Sequence, residues 1–151
     1  MRINAKSDYA IRAMIEIAAA APELRNRDAI ADAQGIPAKF LGSILTDLRR
    51  AGVITSHRGA EGGFTLARPA RTITVADVIR AVDGPLASVQ GTRPQDLEYE
   101  GNAAILQPLW VAVRASLRDV LESTTIEHLS RGQLPRRVAR LTEPDEAWKD
   151  H

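Results

Sequence analysis

Cysteine is absent from this chain of 151 residues. That excludes disulfides, thiolate metal sites and cysteine nucleophiles. A chain without disulfides fits a reducing compartment, and a cytoplasmic location is expected. Aromatic residues are scarce as well, at 4% against 44% apolar residues overall. Leu, Ile, Val and Ala must therefore build the core, a composition that suits packed helices better than a sheet sandwich. Long apolar runs are also missing. The stretch Ile11 to Ala21 is interrupted by Arg12 and Glu16 and no cleavage pattern follows it, so no signal peptide is expected. Nothing approaches the ~20 apolar residues of a membrane-spanning helix.

Net charge is nearly absent too, at +1, which gives no global argument for a polyanionic partner. Its distribution is more informative. Residues 1–84 carry 12 Lys/Arg against 9 Asp/Glu, whereas residues 85–151 carry 8 against 10. The positive excess lies in the N-terminal half.

The patterning of that half predicts helices. A first helix starts near Lys6, capped by Ser7 or Asp8, with Ile11, Met14, Ile15 and Ala18 at helical spacing and Pro22 beyond its end. A second, short helix fits Asp28 to Gln34, stopped by Gly35. A third begins at Pro37, runs through Phe40, Leu41, Ile44, Leu45 and Leu48, and ends at Gly52. Helix, short helix, tight glycine turn and helix is a helix-turn-helix layout. Val53–Ser56 then reads as a strand, 57–63 as a glycine-rich loop and Phe64–Leu66 as a return strand. A hairpin directly after a recognition-type helix is a wing. A further helix fits Val75 to Val82, with Thr74 as cap and Gly84 as stop.

Residues 85–102 read as a loop rich in Gly, Pro and acids. A long helix follows, from Ala103 or Pro108 to Ser123, within a unit spanning 103–130. Leu106, Trp110, Val113, Leu117 and Val120 are spaced 4, 3, 4 and 3 apart, a coiled-coil spacing. Ile105, Leu109, Ala112 and Leu121 form a second apolar stripe. A helix apolar on two sides needs two partners. Its own domain and a second subunit supply them in one reading, and a wholly intramolecular core in the other. Residues 131–151 read as a flexible tail, basic at Arg136, Arg137 and Arg140 and then acidic. The fold class expected is mainly α with a small β-hairpin wing: a winged helix-turn-helix over 1–84 plus a long C-terminal dimerisation helix.

Such a domain offers polar residues of its third helix to base edges and basic ones to phosphates. Residues 37–58 contain Lys39, Arg49, Arg50 and Arg58 against the single acid Asp47. Lys39 and Ser43 are candidates for base contact, and Arg49 and Arg50 for phosphates or for the last helix carbonyls. Arg58, among glycines on the hairpin, is placed to enter a narrow minor groove, where negative potential is enhanced. Gly62 and Gly63 allow close backbone approach or serve the hairpin itself. Arg2, Lys6, Ser7 and Tyr9 are further candidates for phosphate contact.

In order along the chain, Lys6-Ser7-Asp8-Tyr9-Ala10, Gly35-Ile36-Pro37 with Phe40-Leu41, and Leu48 to Ile54 resemble a known family. So do Arg58-Gly59 with Gly62-Gly63-Phe64, Ile79 to Gly84, Leu109-Trp110 and Leu121 to Ile126. Over about residues 1–130 the chain resembles the Rrf-type bacterial regulators, which include those of iron–sulfur cluster assembly, nitric oxide sensing and cysteine metabolism. The resemblance implies a homodimer joined through the long helix and bound to a partly palindromic operator in double-stranded DNA. It places Lys39, Phe40, Ser43 and Arg58 where members touch DNA. Many members hold an iron–sulfur cluster on three cysteines. This chain has none, and Gln107 stands where the family's histidine ligand is found. No cluster, metal or other cofactor is therefore expected, and a small molecule or partner protein is the effector class implied.

His57, His128 and His151 lie too far apart for a ligand set. Asp96, Glu98 and Glu100 read as a solvated acidic loop or a hard-cation site, and Trp110 with Leu106 and Leu109 as core or as the wall of an effector pocket. There is no phosphate-cradling loop, helical metal-ligand pair or nucleophile elbow, so no enzymatic activity is expected. The alternative is a winged-helix interaction module that does not bind DNA.

Overall fold

Asn4 begins the first helix. Its side-chain oxygen accepts from the Ser7 amide at 2.8 Å, and α1 runs Ala5–Ala20. The cap thus lies upstream of the expected Ser7 or Asp8. Ser7 is buried, and Asp8 instead pairs with Arg12 one turn on, at 3.2 Å. In this computed structural model, residues 3–150 are described. Arg2 and His151, singled out above, lie outside them.

The helix α2 spans Arg27–Gln34 behind an Asn26 cap, and Gly35 ends it in the left-handed conformation at φ 61°. Only glycine takes that conformation without cost, which makes Gly35 the pivot of the helix-turn-helix. Ile36 then drops into the core and Pro37 opens α3, Ala38–Arg50. Leu41, Ile44, Leu45 and Leu48 are buried along one side of α3. They meet Ala10, Ala13, Met14 and Ile17 of α1 and Ile30 of α2 in one apolar cluster.

Strands β1 (Ile54–His57) and β2 (Gly63–Leu66) pair antiparallel, with Ile54 opposite Leu66 and His57 opposite Gly63. Arg25 adds a single bridge to Phe64, with backbone bonds of 3.0 and 2.9 Å, so the wing is tied to the segment ahead of α2. The helix α4 (Val75–Asp83) has a reciprocal cap: Asp77 N–H donates to Thr74 Oγ1 at 3.1 Å and Thr74 N–H to Asp77 Oδ2 at 3.0 Å. Burial works against ionising Asp77. The bonds from Thr74 and Arg68 outweigh it, and the carboxyl stays below its ordinary value.

The long helix α5 spans Leu106–Ser123, about 27 Å, and none of its residues is buried. Two short 3-10 turns, Pro94–Asp96 and Gly101–Ile105, precede it. The chain does not continue past α5 as part of the same unit. Thr124 and Thr125 bring it back: Val75 N–H donates to Thr124 O at 2.8 Å and Ile126 N–H to Ile73 O at 2.9 Å. The next helix, α6 (Ile126–Ser130), places Ile126 at 0% exposure in the winged-helix core. The C-terminal end of α5 is thus tied to the N-terminal domain, while its start holds the preceding loop through Gln107 on the carbonyls of Gln95 and Leu97.

The segment expected as a flexible tail is described through residue 150 and carries α7, Arg136–Ala139. Its Val138 is buried, Arg137 pairs with Asp119 of α5, and Trp148 Nε1 donates to Thr142 O at 2.8 Å. Among the described residues no helix is long and apolar enough to cross a membrane.

Candidate nucleic-acid interface

The outer side of α3 is polar because its inner side takes all the leucines. Lys39, Phe40, Ser43, Thr46, Arg49 and Arg50 are exposed along it. Phe40 belongs to the apolar spacing but not to the core. It is 49% exposed, with the Lys39 ammonium 5.1 Å from its ring centroid. Ser43 Oγ donates to Phe40 O and Thr46 Oγ1 to Gly42 O, each at 3.0 Å, which leaves their lone pairs turned outward.

Arg58 sits exposed at the start of the wing loop, without a carboxylate partner among the described residues, as do Lys39 and Arg49. Asp47, the acid of α3, does not offset them freely. It is held by Lys6 at 2.7 Å and by Arg50 at 3.8 Å. Lys6 thus links α1 to α3 through Asp47, with its side chain still partly open to solvent. Tyr9 is half-buried against the core, with the Arg12 guanidinium 5.5 Å from its ring centroid, and Ser7 is buried.

The glycine pair has a packing reason. A Cβ on Gly62 would lie 2.4 Å from His57 O, and one on Gly63 2.9 Å from the Arg25 backbone. Gly63 is buried, and its closeness to the Arg25 backbone gives it a packing role in the hairpin. Gly63→Ala is expected to push the wing off the Arg25 bridge. Operator affinity should drop at least tenfold while helical content stays unchanged, read by fluorescence anisotropy beside circular dichroism. Unchanged affinity would show that the bridge does not hold the wing.

Between α3 and the wing lies a cleft of about 210 Å³, lined by Arg27, Gly42, Thr46, Arg49, Ser56 and Phe64 among others. Arg27 joins this face unforeseen. Its one sequence signal is a positive charge in the first turn of a helix, where the macrodipole disfavours it.

Val113, Leu117 and Val120 of α5 line an apolar groove of about 660 Å³ with Ile79 and Leu86. Leu106 and Trp110 are half-buried, whereas Ile105 and Leu109 are 71% and 49% exposed. Among the described residues the buried atoms Ser7 Oγ and Trp110 Nε1 have no hydrogen-bond partner.

An exposed, basic recognition helix flanked by a hairpin wing is the architecture of a winged helix-turn-helix, a class of DNA-binding protein. The family model described as "Iron-dependent Transcriptional regulator", Rrf2, matches residues 3–132. The chain belongs to the Rrf2 family. It is 49% identical over 144 residues to a putative HTH-type transcriptional regulator of Mycobacterium tuberculosis, covering 95% of this chain and 89% of that one. Among solved structures it resembles CymR, the global cysteine regulator of Bacillus subtilis. There the TM-score is 0.75 at 30% identity, covering 88% of this chain and 98% of that one. IscR of T. potens superposes with a TM-score of 0.70 at 25% identity, covering 99% and 97%.

The residues present do not fit the iron of the family description. The chain has no cysteine, and among the described residues no three His, Asp or Glu side chains converge. Gln107 instead turns its amide nitrogen to the carbonyls of Gln95 at 3.2 Å and Leu97 at 2.6 Å, fastening the preceding loop to α5.

Proposed function

We propose that the chain acts as a homodimeric repressor that binds a partly palindromic operator without an iron–sulfur cluster. The observation that carries this reading is the unpaired basic face formed by Lys39, Arg49 and Arg58 on α3 and the wing. In each protomer α3 enters the major groove, Lys39 and Ser43 meet base edges, and Arg49 and Arg50 meet phosphates. Arg58 reaches the adjacent minor groove.

The dimer reading rests on α5. An 18-residue helix with no buried residue leaves apolar surface uncovered, and the groove beside it is apolar. The α5 row of a second copy is the matching occupant, because the same chain supplies both surfaces and a two-fold axis pairs them reciprocally. Repression follows from occupancy, since a dimer spanning two half-sites of a promoter excludes polymerase from it. The cytoplasm is where such a protein meets its DNA.

Selection of the preferred duplex from a random library tests the reading. The expected product is an inverted repeat whose half-sites are centred a whole number of helical turns apart, about 10 base pairs each. No enrichment, or enrichment of an unrepeated site, would overturn it.

A further inference from the structure

Four arginines converge on one cavity away from the recognition helix. A hollow of about 420 Å³ is bounded by Arg80 and Gly84 at the end of α4, Pro85 to Ala87, Arg93 and Gln95 of the loop, and Arg114 and Arg118 of α5. Among the described residues no carboxylate lines it. The nearby acids do not balance it. Glu122 answers both Arg80 and Arg118, binding the latter with both oxygens at 3.0 and 3.2 Å. Asp77 lies 4.0 Å from Arg80 and is shared with Arg68 at 3.1 Å. Arg114 donates only to the neutral side chain of Gln95. Arg93 has no carboxylate partner among the described residues.

Two acids, Glu122 and Asp77, stand beside these four arginines, and Asp77 is shared with Arg68, so the cluster carries a positive surplus. We infer that the cavity is a binding site for a small metabolite bearing two or more anionic oxygen groups, phosphate or carboxylate. Guanidinium forks grip such groups bidentately, and arginine is the residue suited to doing so in a half-enclosed site. The hollow has the size of small-ligand sites, which run from about 300 to 1,000 Å³. Arg93 and Arg114 supply the free donors, and Arg80 and Arg118 supply field and closure.

The placement also gives the site a regulatory consequence, one that rests on the DNA-binding reading. Arg80 belongs to α4 of the DNA-binding domain, Arg93 to the loop, and Arg114 and Arg118 to the α5 arm. A ligand held by all of them fixes the angle between arm and domain, and with it the spacing of the two recognition helices in a dimer.

Calorimetric titration of the full chain with inorganic pyrophosphate, and separately with citrate, at constant ionic strength tests the site. Saturable binding of at least one, at one per chain, is expected. It should weaken at least tenfold in Arg93→Gln/Arg114→Gln and persist in Arg49→Gln/Arg50→Gln. The better-bound probe shows whether phosphate or carboxylate is preferred. Arg49, Arg50 and Arg93 are exposed and the half-buried Arg114 bonds the Gln95 side chain, so the variants are expected to keep the fold, which circular dichroism checks. Absence of saturable binding by either probe overturns the site. So does binding that survives the Arg93/Arg114 change or disappears with the Arg49/Arg50 change. None of these outcomes depends on DNA, so failure here leaves the operator reading standing.

Discussion

Leu117→Glu is expected to convert the protein to a monomer and to lower operator affinity by at least 100-fold. Leu117 sits in the middle of the α5 row and lines the apolar groove, yet it is not buried within one chain. A carboxylate there costs the isolated fold little, because water still reaches it. In the proposed dimer a two-fold axis would bring two such carboxylates into an apolar seam. Burying an unpaired charge costs several kcal/mol for each group. Light scattering should then give 16.4 kDa rather than twice that mass. One recognition helix alone reads one half-site, and the joint binding of two half-sites on one duplex is lost. A Leu117→Glu protein that remains dimeric would place the interface elsewhere.

Arg58→Ala is expected to weaken binding without changing oligomeric state. The side chain is exposed and has no carboxylate partner among the described residues, so its removal takes nothing from the fold. A DNA-contacting arginine contributes about 1–3 kcal/mol. A dimer loses two, which lowers affinity by roughly 30-fold or more. The loss should be larger on operators whose flanks carry A-tracts, where the minor groove is narrow. Arg58→Lys should recover part of it, because charge remains while the planar fork is gone. Unchanged binding of Arg58→Ala would rule out wing insertion, and with it much of the distinction from a winged-helix interaction module.

The winged helix was legible because its signals are local. Gly35-Ile36-Pro37 combines a left-handed stop with a proline start, and Leu41, Ile44, Leu45 and Leu48 repeat at helical spacing. Thr74 and Asp77 stand three residues apart, as a reciprocal cap requires. What escaped depends on distant partners or on competing local ones. Asn4, Ser7 and Asp8 are all cap-formers, and only burial of Ser7 decides among them. The spacing of Phe40 matches the core, but the four leucine and isoleucine positions already fill the arc facing α1. The return of Thr124 and Ile126 to Val75 and Ile73 joins positions about fifty residues apart, and no periodicity encodes that. The same holds for Lys6 on Asp47, for the Arg25 bridge behind Gly63, and for the arginines from three segments around the anion cavity.

Salt dependence on the selected duplex tests the central claim most directly. In the proposed dimer Arg49 and Arg50 supply four phosphate-directed side chains and Arg58 a further two in the minor groove. Neutralising four to six phosphates makes log K fall linearly with log salt at a slope of about −4 to −5. Affinity for a scrambled duplex of equal length should lie at least ~1,000-fold lower at physiological salt. A slope near zero, or equal affinity for the two duplexes, would contradict sequence-specific binding through α3 and the wing.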